Sequence, residues 1–118
     1  MSIKLAEYKK AFSQEVLRWL QDKTVFSLWA GESLDSCPKS DTELELFYKN
    51  HGITPVALEE DGKFIGQFTY RYVSDEIRLG FIILSESVRG KGYAKVLVRL
   101  AVDFVKQIDE KIEESLRQ

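Results

Sequence analysis

Residues 78–101 read RLGFIILSESVRGKGYAKVLVRLA, and the order of residue types in this stretch decides the fold. Leu79 to Leu84 is rich in β-branched and aromatic residues and poor in charge, the composition of a strand largely covered by its neighbours. Ser85, Glu86 and Ser87 end it. Gly90 and Gly92 then permit backbone angles that a Cβ penalises, and Ala94, Val96 and Leu97 open a helical pattern. The turn therefore lies at a helix N-terminus, where the first N–H groups lack intrahelical acceptors and the aligned peptide dipoles leave a positive end. Small residues at Gly90, Gly92 and Ala94 let a phosphate approach the backbone, and Arg89, Lys91 and Lys95 add positive charge around the mouth. The implied ligand carries phosphate.

Two other phosphate-binding turns fit poorly. A P-loop needs G-x-x-x-x-G-K-S/T, whereas here one residue separates the glycines and no Ser or Thr follows a Gly-Lys pair. A dinucleotide fingerprint needs a third spaced glycine in a βαβ unit, usually early in its domain, and this turn comes late.

The stretch resembles the signature of the Gcn5-related N-acetyltransferases (GNAT), Gln/Arg-x-x-Gly-x-Gly/Ala, met here by Arg89, Gly92 and Ala94. The resemblance implies that the backbone N–H groups of Arg89, Gly90, Lys91, Gly92, Tyr93, Ala94 and Lys95 bind the pyrophosphate of acetyl-coenzyme A. It also implies that the backbone of Ile82, Ile83 and Leu84 pairs with the pantetheine arm as one strand pairs with another. The plainer alternative is a glycine turn that only closes a strand-to-helix connection.

Composition sets the frame. The chain has 118 residues, 44% hydrophobic and 31% charged, with a formal net charge of −2, enough for one core and hence a single domain over residues 1–118. The near-neutral charge gives no electrostatic footprint for nucleic acid, and no apolar run approaches the ~20 residues of a membrane span. No secretory signal opens the sequence. The lone Cys37 forms no internal disulfide and no multi-thiolate metal site, so a reducing cytoplasm and no metal are expected.

From the N-terminus, Ile3, Leu5 and Glu7–Tyr8 suggest a first strand, and Ser13 is placed as a helix N-cap with Glu15 in the first turn. Val16, Leu17 and Leu20 form the apolar stripe, with Trp19 at its border; Thr24 to Trp29 extends the apolar run, and a loop covers Ala30 to Lys39. Ser40-Asp41-Thr42-Glu43 has capping-box spacing and starts a second helix ending near Asn50 to Gly52. His51 at its end, the only histidine, reads as a partner of the helix dipole rather than a base. Thr54 to Glu59 and Lys63 to Val73 form a hairpin across Asp61-Gly62. Strict alternation places Phe64, Gly66, Phe68, Tyr70 and Tyr72 on one face and Ile65, Gln67, Thr69, Arg71 and Val73 on the other. Ser74-Asp75 turns the chain into the strand Glu76 to Leu84.

The fold class is α/β (α+β): a GNAT-like mixed, mostly antiparallel sheet flanked by helices, lacking the family's C-terminal strands and ending in a long helix from about Gly92 to Leu116. The resemblance implies transfer of an acetyl group from acetyl-coenzyme A to an amine acceptor, the acceptor site lying under the first helices with Trp29, Glu32 and Asp35 as candidate contacts. Arg78 stands where some family members hold a catalytic glutamate and accepts no proton at neutral pH. Glu76, two residues earlier, acts through a water or else pairs with Arg71 or Arg78. An uncovered strand edge and the apolar stripe of the tail helix predict a homodimer. Two other readings stay open: a non-catalytic module that binds coenzyme A or self-associates, and a fragment of a longer acetyltransferase.

Overall fold

The computed structural model describes residues 2–31, 34 and 36–117, with side chains to residue 110. The element order is β1 (Ile3–Glu7), α1 (Phe12–Trp19), α2 (Lys23–Ala30), α3 (Asp41–Asn50), β2 (Thr54–Glu60), β3 (Lys63–Val73), β4 (Glu76–Leu84), a 3-10 turn (Glu86–Val88) and α4 (Tyr93–Arg117). The four strands form one antiparallel sheet in the order β1-β2-β3-β4. Among the described residues the outer edge of β4 is unpaired. No helix among them is long and apolar enough to cross a membrane.

The β2–β3 hairpin turns as its sequence demands. Asp61 at φ 50° and Gly62 at φ 84° give two consecutive left-handed residues, the type I′ pattern that suits the twist of paired strands. The α3 cap also forms: the Ser40 hydroxyl accepts from the Glu43 N–H at 3.1 Å. The reciprocal bond is displaced by one residue, since the Glu43 carboxylate accepts from the Lys39 N–H at 3.3 Å.

Expectations for the start of α1, for the apolar run after it and for β3 need correction. Ser13 is not a cap: α1 starts at Phe12, and the fully buried Ser13 bonds through its hydroxyl to the Tyr8 hydroxyl at 2.8 Å. Packing moves the start, because Phe12 in the first turn stacks on Phe64 with ring centroids 4.2 Å apart. Burial pushes the Tyr8 phenol up to about 12, with the Ser13 bond opposing and Glu45 adding. Second, the apolar run to Trp29 is not one helix. The Asp22 carboxylate accepts from the Thr24 and Val25 N–H groups and caps a separate α2. Trp19, expected at the border, is 4% exposed, since its ring stacks on Phe64 at 5.2 Å.

Third, strict alternation fails along β3. Leu58 pairs with Gly66 but Glu59 with Phe64, so one extra residue sits on β3 and the face reverses there. Phe64 therefore packs beside Trp19 and Val16, whereas Ile65 joins Phe68, Leu97 and Ala101. Tyr72 is exposed rather than core.

Two apolar clusters result. One holds Val16, Trp19, Leu20, Trp29, Leu44, Tyr48 and Ile83 under α1, α2 and α3. The other holds Val56, Leu58, Ile65, Phe68, Val88, Leu97 and Ala101 under α4. The alternation of side chains along β2 and β3 puts them on opposite faces of the sheet.

Candidate active site

The turn after β4 is built by its own short-range chemistry. The Ser85 N–H donates to the Ile65 carbonyl at 2.8 Å, closing the strand. The Ser85 hydroxyl accepts from the Ser87 N–H at 3.3 Å, and Val88 plugs into the α4 cluster, which drives the chain round. Arg89 is extended, and its Nε donates to the Leu84 carbonyl at 2.9 Å, tying the turn back to the strand end. Its Nη2 is enclosed without a partner among the described residues. Gly90 at φ 75° and Gly92 at φ 84° bracket Lys91, and the space beside both glycines is open.

Among the described residues, the N–H groups of Gly90, Lys91 and Gly92 meet no backbone acceptor, and Ala94 and Lys95 in the first turn of α4 add amides that a helix start leaves without intrahelical acceptors. Lys91 and Lys95 are exposed beside them. The Tyr93 hydroxyl donates to Glu60 Oε2 at 2.7 Å, fastening the start of α4 to the end of β2. That bond is the chief cause that raises the Tyr93 phenol above its ordinary value. The result is a positive backbone cradle held by strand, turn and hairpin.

The strand leading to the cradle has a second irregularity. Gln67 pairs with Ile83 and Thr69 with Gly80, so β4 carries an extra residue, and Phe81 there takes φ 47°. An aromatic residue at positive φ is a strained position that its surroundings must hold. Gln67, fully buried, does so: its Nε2 donates to the Phe81 carbonyl at 3.3 Å and to the Tyr48 hydroxyl at 2.9 Å. The Phe81 ring meets Trp29 at 4.8 Å, Phe47 at 5.5 Å and Tyr48 at 6.2 Å. Gly66, the cross-strand partner of Leu84, is required, since a Cβ there would lie 2.8 Å from the Ile83 carbonyl.

The ladder divides the three residues expected to meet the pantetheine arm. Because Ser85 bonds inward to β3, alternation turns the backbone of Ile83 inward too, and that of Ile82 and Leu84 toward the open edge. Ile83 is therefore withdrawn, its side chain also 4% exposed in the α1–α3 cluster. The Leu84 carbonyl is taken by Arg89.

Where β4 bulges, a cavity of about 470 Å³ opens between the C-terminal end of α2, α3 and the β3–β4 pair. Trp29, Phe47 and Phe81 make its apolar wall, and Arg71, Arg78 and His51 are its charged or titratable lining. The Trp29 Nε1 is enclosed, and no partner among the described residues meets it at hydrogen-bond geometry. His51 sits at the end of α3 as its sequence position suggests, with Nδ1 2.9 Å from the Phe47 carbonyl, and it also borders this cavity, which the sequence does not reveal. Glu76 does not line the cavity; it stands 3.9 Å from Arg78 as an exposed ion pair. Of the other expected acceptor contacts, Trp29 lines the cavity, and Glu32 and Asp35 lie outside the described residues. A larger cavity of about 610 Å³ lies between α1 and Ser85–Ser87, over the rings of Phe12, Phe64 and Trp19.

The structure is thus an antiparallel sheet whose bulged edge strand runs through a glycine turn into a helix, with a cavity at the bulge. The sequence model of the acetyltransferase (GNAT) family matches residues 13–116, and the chain belongs to that family. The fold agrees with solved structures. Spermidine N-acetyltransferase from Vibrio cholerae, in complex with CoA and spermine, superposes with a TM-score of 0.72 at 20% identity, over 92% of this chain and 66% of that one. The PaiA N-acetyltransferase from Thermoplasma acidophilum, in complex with coenzyme A, gives 0.63 at 14% identity, over 92% and 75%. An aminoglycoside acetyltransferase in complex with coenzyme A gives 0.64 at 17% identity, over 90% and 68%. The chain thus spans about two thirds of the length of the Vibrio protein. No curated protein sequence matches it.

Proposed function

We propose that the chain is a cytoplasmic, acetyl-coenzyme A-dependent N-acetyltransferase. The observation that carries the reading is continuity: unclaimed amides at Gly90–Gly92, an open strand edge at Ile82, and a bulge at Phe81 that borders a cavity. From Leu84 to Gly80 is about 14 Å of strand, so cradle and cavity serve the two ends of one extended ligand. Gly90, Lys91, Gly92, Ala94 and Lys95, with Arg89 and Tyr93 bracing the turn, would hold the diphosphate; Ile82 would pair with the pantetheine amides.

Bound there, the co-substrate supplies an acetyl thioester, whose carbonyl carbon forms a C–N bond with the acceptor nitrogen as its C–S bond breaks. The cavity holds the amine against that carbon, and much of the rate comes from such positioning. With Nδ1–H donating to the Phe47 carbonyl, His51 Nε2 keeps its lone pair and can take the proton that the nitrogen loses. The departing thiolate takes a proton from solvent.

Calorimetry with acetyl-coenzyme A, followed by thiol release with a panel of amines, tests the reading on the wild type and on His51→Gln. Micromolar binding with amine-dependent release is expected, with His51→Gln lowering kcat and leaving coenzyme affinity alone. No heat at millimolar ligand would sink it, and binding without release by any amine would select the non-catalytic coenzyme A module instead.

The same reading includes a homodimer through α4. Val98 and Val102, one turn apart, are 45% and 39% exposed, and the helix runs about 37 Å, continuing past Phe104, the last α4 residue in the sheet-facing cluster. Pairing two such helices covers these residues and leaves the β4 edge to the co-substrate. Sedimentation equilibrium at micromolar concentration should give twice the 13.6 kDa of one chain; a monomer that Val98→Glu leaves unchanged refutes it.

A further inference from the structure

We propose that the acceptor is a small primary amine that also bears a carboxylate, recognised by Arg71 and Arg78. The inference rests on the acetyltransferase reading and names the substrate class of the same cavity. Arg71 and Arg78 are direct cross-strand partners in the β3–β4 register, and both line the cavity at the bulge. Like charges placed opposite each other on paired strands repel, and the sheet keeps them there. Arg78 has one distant partner, Glu76 at 3.9 Å. Arg71 makes no hydrogen bond or ion pair among the described residues. No Asp or Glu among them lines the cavity.

The described part of the lining repels a polycation and attracts an anion, because two guanidinium forks present paired donors that match a carboxylate. The apolar wall of Trp29, Phe47 and Phe81 receives the carbon skeleton, and the amine then faces the bulge. Acetylation of such an amine removes its positive charge and leaves the carboxylate, so the product stays compatible with the arginines, and release depends on loss of contacts at the nitrogen.

The test compares kcat/KM for matched amines, glutamate against glutamine and glycine against glycinamide, with spermidine as the polycation, on the wild type, Arg71→Gln and the double variant with Arg78→Gln. The carboxylates should exceed their amides by about tenfold or more, and the preference should fall to within about twofold in the double variant. Removing one of two opposed like charges does not cost fold stability, so an unchanged or higher Tm accompanies the loss. A wild type that uses spermidine or the amides as well as the carboxylates overturns the proposal. If thiol release fails with every amine, the acetyltransferase reading falls by itself, and calorimetry of the protein loaded with coenzyme A still decides the charge preference. Glutamate binding that weakens tenfold in Arg71→Gln upholds it, and absence of carboxylate binding overturns it.

Discussion

Replacing Gly92 with valine should abolish measurable coenzyme A binding, a loss of at least about a hundredfold, while the chain stays folded. Gly92 sits at φ 84°, where a β-branched side chain costs about 1–2 kcal/mol. Nothing in the protein lies within 4 Å of the new Cβ, so the variant escapes by relaxing the turn, and the relaxed turn no longer aims its amides at one point. Each charge-assisted bond from an amide to phosphate is worth about 1.5–3 kcal/mol, and losing two amounts to roughly a hundredfold or more in affinity. Gly52→Val is the control. Gly52 is also left-handed, at φ 65°, with equally open space, but it follows α3 and is remote in sequence from the cradle. Both variants should lose similar stability in urea titration, and only Gly92→Val should lose the calorimetric signal. Equal binding by the two would remove the diphosphate assignment.

The second large effect concerns Phe81. Phe81→Ala removes a ring that touches Trp29, Phe47 and Tyr48, a change that costs about 3 kcal/mol for a largely buried aromatic and lowers Tm by roughly 10 °C. Alanine keeps the left-handed penalty at φ 47°, whereas glycine does not. Phe81→Gly should therefore be the more stable of the two by about 0.5–1 kcal/mol, even though glycine loses more chain entropy on folding. At an ordinary strand position the order is reversed. A Phe81→Ala protein more stable than Phe81→Gly would show that the bulge carries no strain. A decrease below about 1 kcal/mol in both would show that packing on Phe81 does not hold the acceptor cavity.

What the sequence discloses here follows the range of the interactions. The hairpin at Asp61-Gly62, the Ser40 cap and the glycine turn before α4 each depend on residues within a few positions of one another, and all are legible. The separate α2 goes unread, although Asp22 ahead of Thr24 and Val25 is a cap signal for it. The two bulges are not, because an extra residue in a strand exists only relative to the partner strand. Through them Phe64 changes face, Ile83 turns away from the open edge and Phe81 becomes left-handed. The same holds for the acceptor cavity: Arg71 and Arg78 are seven positions apart, and only the register makes them opposite neighbours. Ser13 misleads for another reason, since stacking of Phe12 on Phe64 outweighs a favourable cap one residue later.

The sheet separates two layers of unequal autonomy. On one face stand three helices of 8, 8 and 10 residues, each too short to persist without its docking surface; on the other lies a single helix of 25. Transient detachment of the short-helix layer should therefore take less free energy than global denaturation, and amide exchange in α2 should run ahead of that in the first half of α4. Under the proposed acetyltransferase reading, breathing of the labile layer, which supplies one wall of the cavity, would admit and discharge the amine while the larger ligand stayed seated at the start of α4.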